Sequence, residues 1–327
     1  MKFGIVGTNF ISELFMEAAN ELGEIEVVSV CSKKVENAND FARKFEIANV
    51  YETYQEMCKS NTIQAVYLAV PNSLHYELSI YFLKHKIPVL CEKPLASNDR
   101  EVKKMVECAR KNNSYLQDGI MPLYTENFKK TKKALAKLGK LRRGVIVYGK
   151  YSSRYKDYLD GMNPTTFRRE LSTGSIMDLG VYAISIAIGL FGKPKSIHAS
   201  GILLESGVDG LGTIIFSYDS FELVILHSKV TDTLIKTEIQ GENGNIYIDP
   251  LNHFNDVYFI NCETKKKEQI SEEAMGGMIW ELKEFLHCVK AGKIQSDKVP
   301  HQLSIDIHEI LTECREQIGV VFPSDNF

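Results

Sequence analysis

Near the amino terminus, Phe3-Gly4-Ile5-Val6-Gly7-Thr8-Asn9-Phe10-Ile11-Ser12 runs from an apolar strand into a stretch with helical spacing. A turn in that position can hold a dinucleotide. The aligned amides and dipole of a helix N-terminus attract a pyrophosphate, and glycine lets the backbone approach it. Gly7 holds the first glycine position of the G-x-G-x-x-G pattern, Asn9 the second and Ser12 the third. Asn is the non-glycine residue best suited to a positive φ, and Ser12 is small enough for close helix packing. Taken alone, the turn fits either a phosphate cradle or an ordinary βα turn. An NAD-binding chain places Asp or Glu about 20 residues further on, at the ribose 2′-hydroxyl. Here that position is Ser32, followed by Lys33 and Lys34. No carboxylate stands there to repel a 2′-phosphate, and two cations could attract one. Two surface lysines opening a helix read equally well.

The elements around this turn alternate. Phe3–Val6, Ile25–Cys31, Ala65–Val70, Pro88–Cys91 and Ser114–Ile120 are strand-like, while Ile11–Leu22, Val35–Phe45, Ser73–His85 and Asp99–Asn112 have helical spacing. Strands alternating with helices predict βαβ units, hence a doubly wound parallel sheet of the Rossmann kind. After about Met121 the pattern changes. A helix at Tyr124–Leu138 and an apolar one at Met177–Leu190 enclose a strand, Leu141–Lys150, and a polar stretch, Tyr151–Thr173. Strands then follow without helices between them: Ser196–Ile202, Leu211–Ser217, Phe221–Ser228, Leu234–Gln240, Asn245–Ile248 and Val257–Asn261. That succession predicts an open, mostly antiparallel sheet in a second α/β domain. Helices at Met278–Ala291 and Pro300–Gln317 close the chain. The expected division is a nucleotide domain over residues 1–121 and a substrate and dimerisation domain over 122–327.

Composition excludes several classes. The 327 residues carry a net charge of −3, so no global field draws in nucleic acid or an anionic membrane. Lysine clusters at Lys129–Lys137 and Lys265–Lys267 read as solvated surface. The seven cysteines are odd in number and lack CxxC spacing, against a disulfide framework or a zinc knuckle. His198, His227, His253, His287, His301 and His308 show no ligand spacing, so no metal is expected. No apolar run reaches the ~20 residues of a membrane span. Met1 leads directly into a strand, which predicts no secretory leader and a cytoplasmic protein.

A more specific pattern stands at Cys91-Glu92-Lys93-Pro94-Leu95. A Glu-Lys-Pro triplet here, where the fifth strand of a dinucleotide domain ends, resembles the signature of the glucose–fructose oxidoreductase/inositol dehydrogenase/MocA family. Three further segments resemble that family in order: Ala69-Val70-Pro71-Asn72-Ser73-Leu74-His75, Gly174-Ser175-Ile176-Met177-Asp178-Leu179-Gly180-Val181-Tyr182, and Gln240-Gly241-Glu242-Asn243-Gly244. The resemblance spans essentially the whole chain. It departs at the phosphate turn, which lacks two glycines, and at Ser172-Thr173-Gly174, where relatives often have a glycine run. Tyr182 stands where many relatives carry His. It is similar to the branch that contains dimeric dihydrodiol and NADP-linked sugar dehydrogenases.

The resemblance implies an NAD(P)-dependent oxidoreductase, with NADP the expected cofactor and NAD the alternative. Hydride would move to or from a sugar, polyol or vicinal diol. It implies that Gly7, Thr8, Asn9, Phe10 and Ile11 hold the pyrophosphate, and that Ser32 and Lys33 meet the 2′-phosphate. Ala69, Val70, Pro71, Asn72, His75 and Glu92 would border the ribose and nicotinamide, and Arg168 would touch cofactor or substrate. Lys93, Asp178 and Tyr182 would be the catalytic set. A tyrosine hydroxyl near pKa ~10 needs a neighbouring cation to accept a proton at working pH, which Lys93 would supply. Asp178, four residues before Tyr182 on one helix face, would orient substrate or Lys93. The last helix, about residues 300–317, would pack back on the first domain. A homodimer would form through the open sheet, with Tyr148, Phe216 and Leu226 available to cover its face. The same fold also admits a second class, a catalytically silent regulatory protein that senses nicotinamide nucleotides.

Overall fold

The computed structural model describes residues 1–272 and 276–326; the remainder of the expected second domain, 273–275 and 327, lies outside the described residues. The chain divides into two units. The first runs from Met1 to Gly119 and takes in the later segment up to Ser304, and the second takes in the chain from Ile120 and again from Ile305.

In the first unit β1 (Lys2–Val6), α1 (Phe10–Leu22), β2 (Glu26–Cys31), α2 (Val35–Phe45), β3 (Asn49–Tyr51), α3 (Tyr54–Lys59), β4 (Ala65–Leu68), α4 (Asn72–Lys84), β5 (Val89–Glu92), α5 (Asp99–Asn112) and β6 (Leu116–Gly119) alternate. The strands pair in parallel in the order β3-β2-β1-β4-β5-β6. Helices on both faces explain why β4, β5 and β6 are buried at every position. Winding reverses between β1 and β4. Beyond their carboxyl ends lies the switch point, where open α/β sheets bind ligands. The short β3 and α3 carry too little periodicity to be foreseen in sequence.

In the second unit α6 (Glu126–Ala134), β7 (Leu141–Gly149) and α7 (Tyr155–Leu159) precede a π-helical turn, Ile176–Gly180, which runs into α8 (Val181–Phe191). Then come β8 (Ser196–Leu203), β9 (Asp209–Ser217), β10 (Glu222–Ser228), β11 (Thr237–Gly241), β12 (Gly244–Asp249), β13 (Asp256–Asn261) and β14 (Lys267–Gln269). The sheet order is β14-β13-β12-β11-β7-β10-β9-β8. Among the described residues its one parallel pair is β7 with β10, and the other pairs are antiparallel. The strand expected from Leu234 starts only at Thr237, and Leu234 is 98% exposed.

Alternation along these strands separates two faces. Gly144, Ile146, Ile214, Phe216, Leu223, Ile225, Ile239 and Ile246 form the buried one. Val145, Ile215, Val224, Leu226, Tyr247 and Tyr258 lie on the other and stay half-exposed. Of the three residues expected on the open face, only Leu226 is there. Phe216 is fully buried, and Tyr148 points with the buried row, its ring edge-on to Tyr182 at 5.3 Å. With apolar residues at both parities, the sequence left the phase of the alternation undetermined.

Arg169–Phe191 meets the length and apolarity of a membrane span, contrary to the sequence expectation, and 83% of its most apolar window is buried inside the protein. It therefore reads as an interior helical stretch.

The chain returns to the first unit in α9 (Gly277–Lys290). Met278, Ile279, Leu282, Phe285 and Leu286 of α9 join Phe3, Phe15 and Tyr67 in one core. Phe285 meets Phe3 at 5.2 Å, and Phe15 stacks on Tyr67 at 4.2 Å. The final helix, α10 (His301–Ile318), starts in the first unit and belongs to the second from Ile305.

Candidate active site

The phosphate turn is built at the switch point. Gly7 has φ +106°, and a Cβ there would stand 2.0 Å from the Ala69 carbonyl oxygen. Only glycine fits. Asn9 does not supply a positive φ, as the glycine comparison suggested. Its φ is −91°, and it caps α1, with Oδ1 accepting from Ile11 N–H at 3.1 Å and Ser12 N–H at 3.3 Å. Its Nδ2 donates to the Ala69 carbonyl at 2.9 Å, which ties the turn to β4. Ser12 is fully buried and donates to the Gly7 carbonyl at 2.9 Å. Thr8 and Ile11 are half-buried, and Phe10 opens the helix 72% exposed. At the end of β2, Ser32 accepts from the Thr8 hydroxyl at 3.3 Å, and Lys33 and Lys34 are exposed beside it. A glycine cradle at a helix N-terminus, bordered by hydroxyls and cations, fits a nucleotide bearing an additional phosphate.

The loops after β4 and β5 are clasped together. Ala69 is buried, Val70 and Asn72 are half-buried, and Pro71 is exposed as the residue preceding α4. His75, expected to face the cofactor, has no exposed surface to offer it. Its Nδ1 lies 2.8 Å from the Pro94 carbonyl oxygen and its Nε2 2.9 Å from that of Val70. Burial pushes its pKa down, partly opposed by these two hydrogen bonds. Helix position alone could not show that both ring nitrogens would be used by backbone. Glu92 is 8% exposed and accepts from the Tyr67 hydroxyl at 2.6 Å. Lys93 follows, half-buried, and its peptide bond to Pro94 is cis. Asp118 and Glu281 share the electrostatic neighbourhood of Glu92, and both are buried. Burial lifts Asp118 to about 7 and Glu281 well above the carboxylate range.

In the second unit the π-turn presents Asp178 and leads into Tyr182. Its start is anchored from β9. Asp209, fully buried, accepts from the Ile176 N–H at 2.7 Å, as a cap accepts from a helix N-terminus. Gly174 is required beside it, because a Cβ there would lie 2.4 Å from Asp209 Oδ1 and its φ is +127°. His227 of β10 pairs with the Ser175 hydroxyl at 2.9 Å and stands 3.6 Å from Asp209. Burial raises Asp209 to about 7 and lowers His227 to about 3. Asp178, its side chain 40% exposed, takes the ammonium of Lys229 at 2.5 Å. Tyr182 is half-buried against Tyr148. Arg168 closes its own loop, both Nε and Nη2 donating to the Asn163 carbonyl. Thus Asp178 and Tyr182 share one helical element of the second unit, whereas Lys93 stands in the first. Sequence reasoning missed Tyr148, Asp209, His227 and Lys229 as site residues. The available signal was polar His227 and Lys229 continuing the buried row of Leu223 and Ile225.

Comparison with known proteins agrees over the whole length. Residues 1–119 match the family model described as an oxidoreductase family with an NAD-binding Rossmann fold, and residues 128–247 match the GFO/IDH/MocA C-terminal domain. The chain is 40% identical over 326 residues to scyllo-inositol 2-dehydrogenase (NADP(+)) of Bacillus subtilis (strain 168), covering 99% of both. It is 29% identical to trans-1,2-dihydrobenzene-1,2-diol dehydrogenase of Xenopus laevis, over 98% of this chain and 99% of that one. Among solved structures, a 3-ketoreductase from Actinomadura kijaniata in complex with TDP-benzene and NADP shares the fold. Its TM-score is 0.84 at 18% identity, over 98% of this chain and 99% of that one. Matched in both halves and along its full length, the chain belongs to the GFO/IDH/MocA family of oxidoreductases.

Proposed function

We propose that this oxidoreductase uses NADP to oxidise a secondary CH–OH group of a cyclic polyol, sugar or vicinal diol, or to reduce the corresponding ketone. The observation that carries the cofactor preference is the end of β2. Ser32 and exposed Lys33 stand beside the phosphate turn, with no carboxylate at either position. The relatives named for inositol and diol dehydrogenation support the substrate class. Gly7 to Ile11 hold the pyrophosphate, Ser32 and Lys33 the 2′-phosphate, and Ala69 to Asn72 with Glu92 line the nucleoside end. The bound nicotinamide supplies the hydride acceptor. Lys93 holds the substrate oxygen and lowers the cost of its charge. Tyr182 takes the hydroxyl proton as the C–H bond breaks, and Asp178 orients a neighbouring hydroxyl. Fluorescence titration with NADPH and NADH tests the cofactor reading: NADPH binds more tightly, and tighter NADH binding contradicts it.

In the same reading, residues 1–121 form the nucleotide domain and 122–327 the substrate domain. The half-exposed apolar face of the second sheet, with Val145, Ile215, Val224 and Leu226, is covered by a second copy in a homodimer. Seven free thiols, six of them buried, suit a reducing cytoplasm. A monomeric mass at micromolar concentration in light scattering overturns the dimer.

A further inference from the structure

The inward row of β10 changes character at its end. Leu223 and Ile225 are apolar and fully buried, His227 is 2% exposed, and the alternation continues past the strand to Lys229, 3% exposed. Its backbone is fixed, its N–H donating to the Gly210 carbonyl at 2.9 Å and its carbonyl accepting from Ser152 N–H at 2.8 Å. The ammonium lies 5.5 Å from the centroid of the Phe167 ring and 2.5 Å from Asp178 Oδ2. A buried ammonium is costly unless paired. Among the described residues, Asp178 is the carboxylate that pairs with it. Lys229 has almost no surface with which to touch a ligand, while the carboxylate it holds is 40% exposed.

We propose that Lys229 is a positioning residue: it fixes the carboxylate of Asp178 in place, and through Asp178 the substrate hydroxyl next to the one being oxidised. The proposal rests on the reading of Asp178 as a substrate-orienting group. A vicinal pair of hydroxyls is therefore what the site selects. One meets Asp178, and a substrate lacking it loses an acceptor already aimed by Lys229. On the elements packed against this turn, the titratable groups toward its end are Tyr148 of β7, Tyr182 of α8, Asp209 of β9, His227 of β10 and Lys229 just beyond it, while Arg142 and Arg143 of β7 and Glu222 of β10 stand at the opposite ends of their strands. Of these, Lys229 is the one whose nitrogen lies within hydrogen-bond distance of Asp178 Oδ2, at 2.5 Å. Removing it raises the carboxyl pKa of Asp178, since a nearby cation favours the ionised form.

The test uses the full-length protein with Lys229→Met, Lys229→Arg, Asp178→Asn and the double variant. Carbon-detected NMR of aspartate-labelled protein, assigned through Asp178→Asn, follows the Asp178 carboxyl directly. Its midpoint rises by one pH unit or more in Lys229→Met and stays near the wild-type value in Lys229→Arg. With NADP+ and scyllo-inositol, Lys229→Met loses at least 10-fold in kcat/KM, mainly through KM. NADPH affinity stays within a few-fold, and the double variant is no worse than Asp178→Asn. An unchanged Asp178 midpoint in folded Lys229→Met overturns the proposal. So does a double variant showing the full additive loss. If Asp178→Asn retains wild-type kcat/KM, the substrate role of Asp178 fails and the proposal with it, whereas Lys93 and Tyr182 variants report separately on the catalytic reading. If Lys229→Met does not fold, Lys229→Arg decides: a shifted KM despite a retained ion pair contradicts the proposal, and wild-type behaviour sustains it.

Discussion

His75 stands 2.8 Å from the carbonyl oxygen of Pro94, and its second ring nitrogen reaches the carbonyl of Val70 at 2.9 Å. One imidazole thereby joins the loop after β4 to the loop that carries Lys93. Replacing it with Leu takes the ring's N–H from a fully buried place, where neutral imidazole donates to one of the two carbonyls. Such a loss costs about 1–3 kcal/mol. His75→Leu is expected to lower the thermal midpoint and reduce kcat at least 10-fold. His75→Gln, which can still donate one hydrogen bond, recovers part of both. Melting curves and steady-state rates measured on the same preparations check this.

Gly7 is the second fixed point. A methyl group there meets the Ala69 carbonyl at 2.0 Å, and the backbone is backbone, not a side chain that can swing away. Gly7→Ala is expected to weaken NADPH binding at least 10-fold by pushing the turn away from β4. Lys33→Ala should act differently, weakening NADPH by about 10-fold while leaving NADH within two-fold, since a single phosphate contact is lost. Titration of both variants with both reduced nucleotides separates the two effects.

The buried carboxyl of Asp118 gives stability a pH dependence. It keeps its proton to about pH 7 when folded, because of burial, and loses it at the ordinary aspartate value of 3.8 when unfolded. Between those values the folded protein binds more protons, so this group's contribution to stability falls as pH rises, then levels above 7. Asp118→Asn removes the effect. The thermal midpoint of the variant minus that of the wild type should grow from pH 5 to pH 8. A constant difference would contradict the assignment.

Much of this arrangement was legible in sequence because it is local. The alternation of strands and helices, the turn at Gly7, the Glu92-Lys93-Pro94 triplet and the Gly174 to Tyr182 segment each lie within one stretch of chain. What escaped depends on contacts between distant residues. Asn9 looked like a glycine substitute, yet a side-chain amide within reach of two free helix N–H groups is better used as a cap. Tyr148 and Phe216 were assigned the wrong face because β7 and β9 carry apolar residues at both parities. The pairing of Lys229 with Asp178 joins positions 51 residues apart, which no spacing rule reveals. That α9 enters the core of Phe3 and Phe15 shows only in the packing, because an apolar stripe in sequence names no partner.

Lys93→Met and Tyr182→Phe are each expected to lower kcat by at least 10²-fold, the usual size of an acid–base contribution. NADPH affinity should stay within a few-fold in both. If Tyr182→Phe kept near-normal turnover and a flat pH profile, the proton would move through another group, with Lys93 the next candidate.

The central claim is hydride transfer between a secondary CH–OH group and NADP, and the rate of NADPH formation tests it most directly. Wild-type protein would be mixed with NADP+ and, in turn, scyllo-inositol, other inositols, aldoses and cyclic vicinal diols, and the absorbance of reduced nicotinamide followed. The expected result is saturable turnover on at least one vicinal polyol, faster with NADP+ than with NAD+ and lost in Lys93→Met. Tight NADPH binding with no turnover on any of these alcohols, and none in reverse on the corresponding ketones, would contradict it.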